Sequence, residues 1–137
     1  MKVKKTLQNA VLPKVSLVGD AGFDLTAAYL EIRDNQYIYD TGIALEIPKG
    51  YFGLLAPRSS IIKTCLRLAN SVGILDSNYR GSVKVVFDKI DNSNGIYPIG
   101  DRIAQVILVP FYTPLIELVD ELSDSNRGSG GFGSSGR

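Results

Sequence analysis

No histidine occurs in this 137-residue chain, and cysteine occurs once, as Cys65. These absences remove Ser-His-Asp triads, HExxH metal sites and every Cys/His zinc cluster. An intrachain disulfide is impossible, which is compatible with a reducing compartment; Cys65, set in an apolar run, is expected to be a buried small side chain. Net charge is nearly absent too: 15 Lys plus Arg against 14 Asp plus Glu leave +1. No overall field would recruit nucleic acid or an anionic membrane, so any basic site must be local. Long hydrophobic runs are missing. Met1-Lys2-Val3-Lys4-Lys5 carries the charge of a signal peptide, but Thr6-Leu7-Gln8-Asn9 does not continue as an apolar region, and no stretch approaches transmembrane length. The expectation is a protein that is not secreted and stays where it is made.

What remains is ordinary material for one packed domain: 45% hydrophobic and 21% charged residues, with no room for a second fold. Ile43, Leu45 and Ile47 alternate with Ala44 and Glu46, and Val83, Val85 and Phe87 alternate with Lys84 and Val86. That period of two predicts strands with one face inward. Turn sequences separate such runs at Pro48-Lys49-Gly50, Asn92-Ser93-Asn94-Gly95 and Pro98-Ile99-Gly100-Asp101. The rhythm is that of an all-β sandwich or jelly roll. One short helix is expected over Ser59 to Arg67, capped by Ser59 or Ser60 before Ile61, Ile62, Cys65, Leu66 and Leu68. From Ser123 the composition turns polar and glycine-rich, which predicts a β domain over 1–122 and a mobile arm over 123–137.

Taken singly, the polar clusters have plain structural uses. Asp20-Ala21-Gly22-Phe23-Asp24 suits a loop entering a strand, and Pro57-Arg58-Ser59-Ser60 a helix start. Asp76-Ser77-Asn78 suits a tight turn, and Gly100-Asp101-Arg102 a hairpin before a strand on which Gln105 is exposed. The Gly/Ser tail alone reads as a linker, yet it contains Arg127 and Phe132. Free glycine N–H groups can wrap a polyphosphate, Arg127 adds a forked donor, and Phe132 offers a flat face to a base.

The order of these clusters is what matters. Asp20-Ala21-Gly22-Phe23-Asp24-Leu25, Pro57-Arg58-Ser59-Ser60, the run Asn70-Ser71-Val72-Gly73-Ile74-Leu75-Asp76-Ser77-Asn78-Tyr79-Arg80-Gly81, Gly100-Asp101-Arg102-Ile103-Ala104-Gln105, and the tail from Arg127 to Gly136 follow one another along nearly the whole chain. In this the sequence resembles the trimeric dUTPase family, whose five signature motifs have this order. Two positions depart from the family's habit: Leu75 stands where Ile is commoner, and Asn78 where an acidic residue is common.

The resemblance implies a distorted β-barrel or jelly roll that hydrolyses dUTP to dUMP and pyrophosphate, limiting uracil incorporation into DNA and supplying dUMP for thymidylate synthesis. A β-hairpin from about Asn70 to Arg80 would hold uracil, through Asn70, Gly73, Ile74 and Leu75, with Phe132 stacked above it. A hairpin's fixed donors and acceptors would leave cytosine unpaired. Tyr79 would lie against the deoxyribose and exclude a 2′-hydroxyl, and Lys84 is a further candidate near the substrate. Asp76 matches the base that activates the attacking water. Arg58, Ser59, Ser60, Gln105, Arg127, Gly133 and Ser134 match phosphate-binding positions. The implied cofactor is Mg2+, held mainly by the triphosphate and water, with no direct protein ligands and with Asp24 holding its waters or supporting the site from behind. The implied assembly is a homotrimer with shared active sites, the tail arriving from a neighbour as a lid. Residence would be cytoplasmic, or nuclear or in a host cell if the chain is viral.

Two other readings stay open on the sequence. A dCTP deaminase-related enzyme would use a glutamate near the third motif, where this chain has Asp76 and no nearby Glu. A dUTPase-like module could switch contact with a protein partner on nucleotide binding, but no inserted segment between the motifs supports such a partner.

Overall fold

Inward-facing residues from two antiparallel sheets make a single core, and the pairing of the strands decides where each polar motif emerges. A computed structural model describes residues 1–91 and 95–131. The first sheet contains β1 (Lys2–Lys5), β3 (Tyr29–Arg33), β4 (Gln36–Glu46), β6 (Leu66–Leu68) and β8 (Ser82–Lys89). Its order is β1-β4-β8-β6, with β3 also paired to β4. The second contains β2 (Gly22–Thr26), β5 (Tyr51–Pro57), β7 (Gly73–Leu75) and β9 (Arg102–Pro110), in the order β2-β9-β5-β7.

The alternation in the sequence holds in the sheets. Val83, Val85 and Phe87 are buried, as are Ile43, Leu45 and Ile47, while Lys84 and Glu46 are exposed. They join Leu25, Leu55, Ile103 and Val106 from the other sheet, and each such apolar side chain contributes roughly 1.5–3 kcal/mol on burial. Ala44 is buried as well, close to an irregularity in the β4–β8 register between Asp40 and Ala44. Gly42 lies there at φ +63°, and a Cβ on it would come within 2.8 Å of Leu7 and Ala10 side chains, so only glycine fits without displacement. The turns at Pro48–Gly50 and Pro98–Asp101 form as the sequence predicts, with Gly50 and Gly100 at positive φ; Asn92 to Asn94 lie outside the described residues.

Of the short helix expected over Ser59 to Arg67, only the first part forms, and as 3₁₀ rather than α. Ser59–Lys63 forms a 3₁₀ turn following Arg58, neither serine caps it by a side-chain bond, and Thr64 is already extended. Leu66–Leu68 then pairs with the end of β8 as a strand, in the register Leu66 to Lys89 and Leu68 to Phe87. Ile61, Ile62 and Thr64 are β-branched and weak helix formers, and the alternation Leu66-Arg67-Leu68 buries both leucines on the sheet. Cys65 is fully buried, as expected.

Beyond β9 the described chain adds no further strand or helix. This segment begins at Phe111, well before the change in composition at Ser123. Phe111 packs edge-on against Phe52, but Leu115, Ile116, Leu118 and Leu122 are 98%, 97%, 98% and 88% exposed.

Candidate functional site

Two separate clefts collect the motif residues. The first lies where β2, β9 and the end of β5 meet, and is lined by Ser16, Asp20, Ala21, Gly22, Asp24, Arg58, Ser59 and Gln105. In the second sheet Asp24 pairs with Gln105, and Gln105 pairs with Ala56, so motif residues distant in sequence become neighbours across three strands. Gln105 is half-buried rather than exposed: its amide donates to Pro57 O at 3.3 Å, and a Cβ on Gly22 would overlap its Oε1. The missing side chain at Gly22 is what lets Gln105 lie across β2.

Asp24 is the one buried carboxylate among the described residues, at 8% exposure. Arg58 Nε donates to its Oδ1 at 2.7 Å; Arg102 Nη1 and Ser16 Oγ donate to Oδ2 at 2.9 Å and 2.8 Å. Burial pushes the Asp24 carboxyl up, but the Ser16 hydrogen bond and the Arg58 and Arg102 charges outweigh it, and the net position is below the usual carboxylate range. Asp24 is therefore ionised at neutral pH. The loop before it is closed by Asp20, whose carboxylate accepts Leu17 N–H at 2.9 Å, with Gly19 at φ +98°.

Ser60 does not line that cleft; its hydroxyl is 3.3 Å from the Tyr97 hydroxyl, and Tyr39 Oη donates to Tyr97 O at 2.9 Å. Burial pushes the Tyr39 phenol up to about 12, so it remains a donor at any ordinary pH. The 3₁₀ turn carrying the serines is thus tied to the aromatic core of Tyr39, Phe87 and Tyr97.

The second cleft is apolar and is lined by Phe52, Ile74, Asp76 and Phe111. Gly73–Leu75 pairs with β5, so the segment from Asn70 to Arg80 leaves one sheet at Leu68, joins the other at Gly73, and turns at Asp76. It does not pair with itself as a ladder, which is where the structure departs from the expected hairpin. Tyr79 N–H closes the turn on Asp76 O at 3.1 Å, and Arg80 Nη1 donates to Ser77 O at 2.7 Å and Tyr79 O at 2.9 Å. Asp76 itself is exposed. Tyr79 folds over Gly81, its hydroxyl donating to Ser82 O at 3.1 Å; a Cβ on Gly81 would overlap that hydroxyl oxygen. Ser82 is in turn fixed by a short hydrogen bond to Asp40.

The two clefts are not adjacent. Asp24 is on β2 and Asp76 follows β7, the opposite edges of a four-stranded sheet. Three strand spacings amount to roughly 14 Å, and the offset along β5 from Ala56 to Gly53, with one further residue to Asp76, adds roughly 13 Å. The separation is on the order of 20 Å. Arg58, Ser59, Gln105 and Asp24 are therefore brought together; Ile74 and Asp76 meet in the second cleft, with Gly73 and Leu75 on the same strand, while the Tyr79 ring lies instead against Gly81 and Ser82; Asn70 is exposed on the turn before β7. Lys84 stands apart, exposed on β8 opposite Asp40. Arg127 lines neither cleft; its Nε donates to Gly130 O at 2.7 Å within a turn of its own. Phe132, Gly133 and Ser134 lie outside the described residues. Among the described residues no three His, Cys, Asp or Glu side chains form a metal cage.

Sequence reasoning assigns no role to Ser16, Arg102 or Gly81. Arg102 and Gly81 sit inside recognisable motifs and are within its reach; Ser16 lies in an ordinary loop and carries no signal.

A family model described as dUTPase matches residues 8–136. The deoxyuridine 5′-triphosphate nucleotidohydrolase of Escherichia phage T5 is 38% identical over 146 residues, covering 99% of this chain and 98% of that protein. That of swinepox virus is 38% identical over 138 residues, covering 99% and 96%. Among solved structures, a mutant of the Staphylococcus bacteriophage 80alpha dUTPase with dUpNHpp aligns at a TM-score of 0.85 and 29% identity, over 99% of this chain and 98% of that one. A mutant dUTPase from phage phi11 of S. aureus, described with a structural Mg(II) ion, aligns at a TM-score of 0.74 and 26% identity, over 88% and 96%.

Proposed function

The chain belongs to the dUTPase family and is a dUTP diphosphatase that hydrolyses dUTP to dUMP and pyrophosphate, and from that premise we propose how its residues divide the work. Asp76 orients the attacking water and takes its proton, and the water attacks the α-phosphorus in line with the leaving pyrophosphate. Arg58, Ser59, Ser60 and Gln105 hold the phosphates, joined by Arg127, Gly133 and Ser134 as the tail closes. Asn70, Gly73, Ile74 and Leu75 face uracil and Phe132 stacks on it. Lys84 stands on another sheet and is the weakest member of this set.

One observation supports a shared site above all others: Asp76 follows the edge strand β7, whereas the phosphate cleft gathers around β2, β9 and the far end of β5, and Asp24 at its outer side is on the order of 20 Å from Asp76 in one chain. That separation is long for one compact nucleotide, and it favours a second copy placing its phosphate cleft beside the Asp76 turn of the first. The exposed apolar side chains of Leu115, Ile116, Leu118 and Leu122 favour the same reading, because they need a surface to cover them. A homotrimer satisfies both demands by cyclic exchange.

The donor set of the first cleft fits magnesium. Asp20 and Asp24 supply hard oxygen atoms, and Asp24, already accepting from two guanidinium groups and a hydroxyl, suits the holding of metal-bound waters better than direct ligation. When bound, Mg2+ offsets the charge of the phosphate oxygens. The chain's own residues then orient the triphosphate and exclude water.

Pyrophosphate release from dUTP, UTP, dCTP and dTTP with magnesium, together with sedimentation of the protein, tests the assignment. Hydrolysis confined to dUTP by a trimer is the expected result; tight dUTP binding without hydrolysis, or full activity in a monomer, would overturn it. The sugar pocket has its own test. Gly81→Ala drives the Tyr79 ring from its place, because the new Cβ overlaps the hydroxyl. Selectivity for dUTP over UTP is expected to fall about tenfold, measured as the ratio of kcat/KM values, while the melting temperature changes little.

A further inference from the structure

Three charged side chains and a hydroxyl meet at the start of β9, and only part of the cluster faces the first cleft. Arg58 lines it; Arg102 does not, although its guanidinium is 2.9 Å from Asp24 and that of Arg58 is 2.7 Å away. The Asp24 carboxylate is held at both oxygens, by Arg58 at Oδ1 and by Arg102 with Ser16 at Oδ2. Arg102 Nη1 also donates to Ser16 Oγ at 2.9 Å, so hydroxyl, carboxylate and guanidinium close a ring of contacts.

Charge and geometry both give Arg102 a use. The cleft is lined by Asp20, Asp24 and Arg58, one cation against two carboxylates, a poor lining for a triphosphate. Arg102 brings the second cation from behind. Arg58 is gripped through Nε, which leaves its terminal Nη groups to meet a phosphate. Their direction follows the plane of the Asp24 carboxylate. Without Arg102, Oδ2 would be left to the Ser16 hydroxyl alone, itself no longer held by the guanidinium, a weaker hold against rotation about the Cβ–Cγ bond.

We propose that Arg102 is a positioning residue for triphosphate binding: with Ser16 it fixes the Asp24 carboxylate, which aims the Arg58 guanidinium into the cleft, and it offsets the charge of Asp24 there. The inference rests on Arg58 being a phosphate ligand, as proposed above. It implies that a substitution outside the cleft weakens the triphosphate and spares the base and sugar.

The test measures dissociation constants of dUpNHpp and of dUMP, with magnesium, for the intact protein and for R102M, R102K, S16A and R58M, alongside KM and kcat for dUTP. R102M is expected to bind dUpNHpp about tenfold more weakly and dUMP less than about twofold more weakly, with the loss appearing in KM more than in kcat. R102K restores most of the affinity because the charge returns, and S16A loses about threefold because only one hydrogen bond is gone. Equal weakening of both ligands by R102M, or wild-type binding of both by R102M and S16A, overturns the proposal. R58M separates its failure from that of the underlying reading: if R58M binds dUpNHpp normally, Arg58 is no phosphate ligand. If R58M is weak while R102M is normal, only the positioning role falls.

Discussion

Asp76→Asn is expected to lower kcat for dUTP by about a thousandfold while leaving the affinity for dUpNHpp within about twofold, measured by pyrophosphate release and by calorimetry. The substitution separates two uses of this residue. The turn after β7 is closed by a backbone contact, Tyr79 N–H to Asp76 O, which an asparagine keeps. Asparagine is also a good turn residue in its own right. What it cannot do is take a proton from water. If Asp76 only shapes the turn, the variant keeps most of its turnover; retention of more than about a tenth would remove the general-base role. Phe52, Ile74 and Phe111 line the same cleft as Asp76, so a substrate held there would meet an apolar wall beside the carboxylate.

Ending the chain at Asn126 is the second large effect. Loss of everything from Arg127 onward is expected to lower kcat/KM for dUTP by about a hundredfold and to leave the melting temperature within about two degrees. The stability half follows from the structure: Arg127, Gly128 and Ser129 are exposed, and the hydrogen bonds of Arg127 and Gly128 run to Gly130 and Ser125, so no core contact is lost with them. The activity half follows from the chemistry of the segment, in which glycine N–H groups and one guanidinium suit a γ-phosphate and Phe132 suits a base. Undiminished kcat/KM in the shortened chain would end the lid reading and return the tail to the status of a linker.

Much of this fold is legible in the chain itself, for a definite reason. Val83, Val85 and Phe87 alternate because one face of β8 is buried and the other is not, and such a pattern is local. The region from Ser59 to Arg67 misleads because its apolar residues satisfy a helical spacing as well as a strand. Which one forms is decided by the β8 edge, a partner some twenty residues away that offers pairing to Leu66 and Leu68. The site divides in the same way. Asp76, Arg58, Gln105 and Asp24 stand in motifs and can be named from them. Their division between two clefts depends on the strand order β2-β9-β5-β7, which no local window contains. Ser16 stays hidden because a serine in a loop has many uses, and only the fold brings it to Asp24 and Arg102.

The separation of the base from the phosphate cleft within one chain has a consequence for how damage is inherited. On the proposed assembly, a chain crippled at Asp76 still offers a sound phosphate edge, and a chain crippled at Arg58 still offers a sound base. Co-produced in one cell, two such alleles would mix into rings, and wherever the sound edge of each met the other a complete site would appear. Neither allele would work alone, yet the pair would regain part of the activity. The same geometry limits the harm done to a healthy copy, since a subunit defective at only one of the two residues spoils the site on one flank and leaves the other intact.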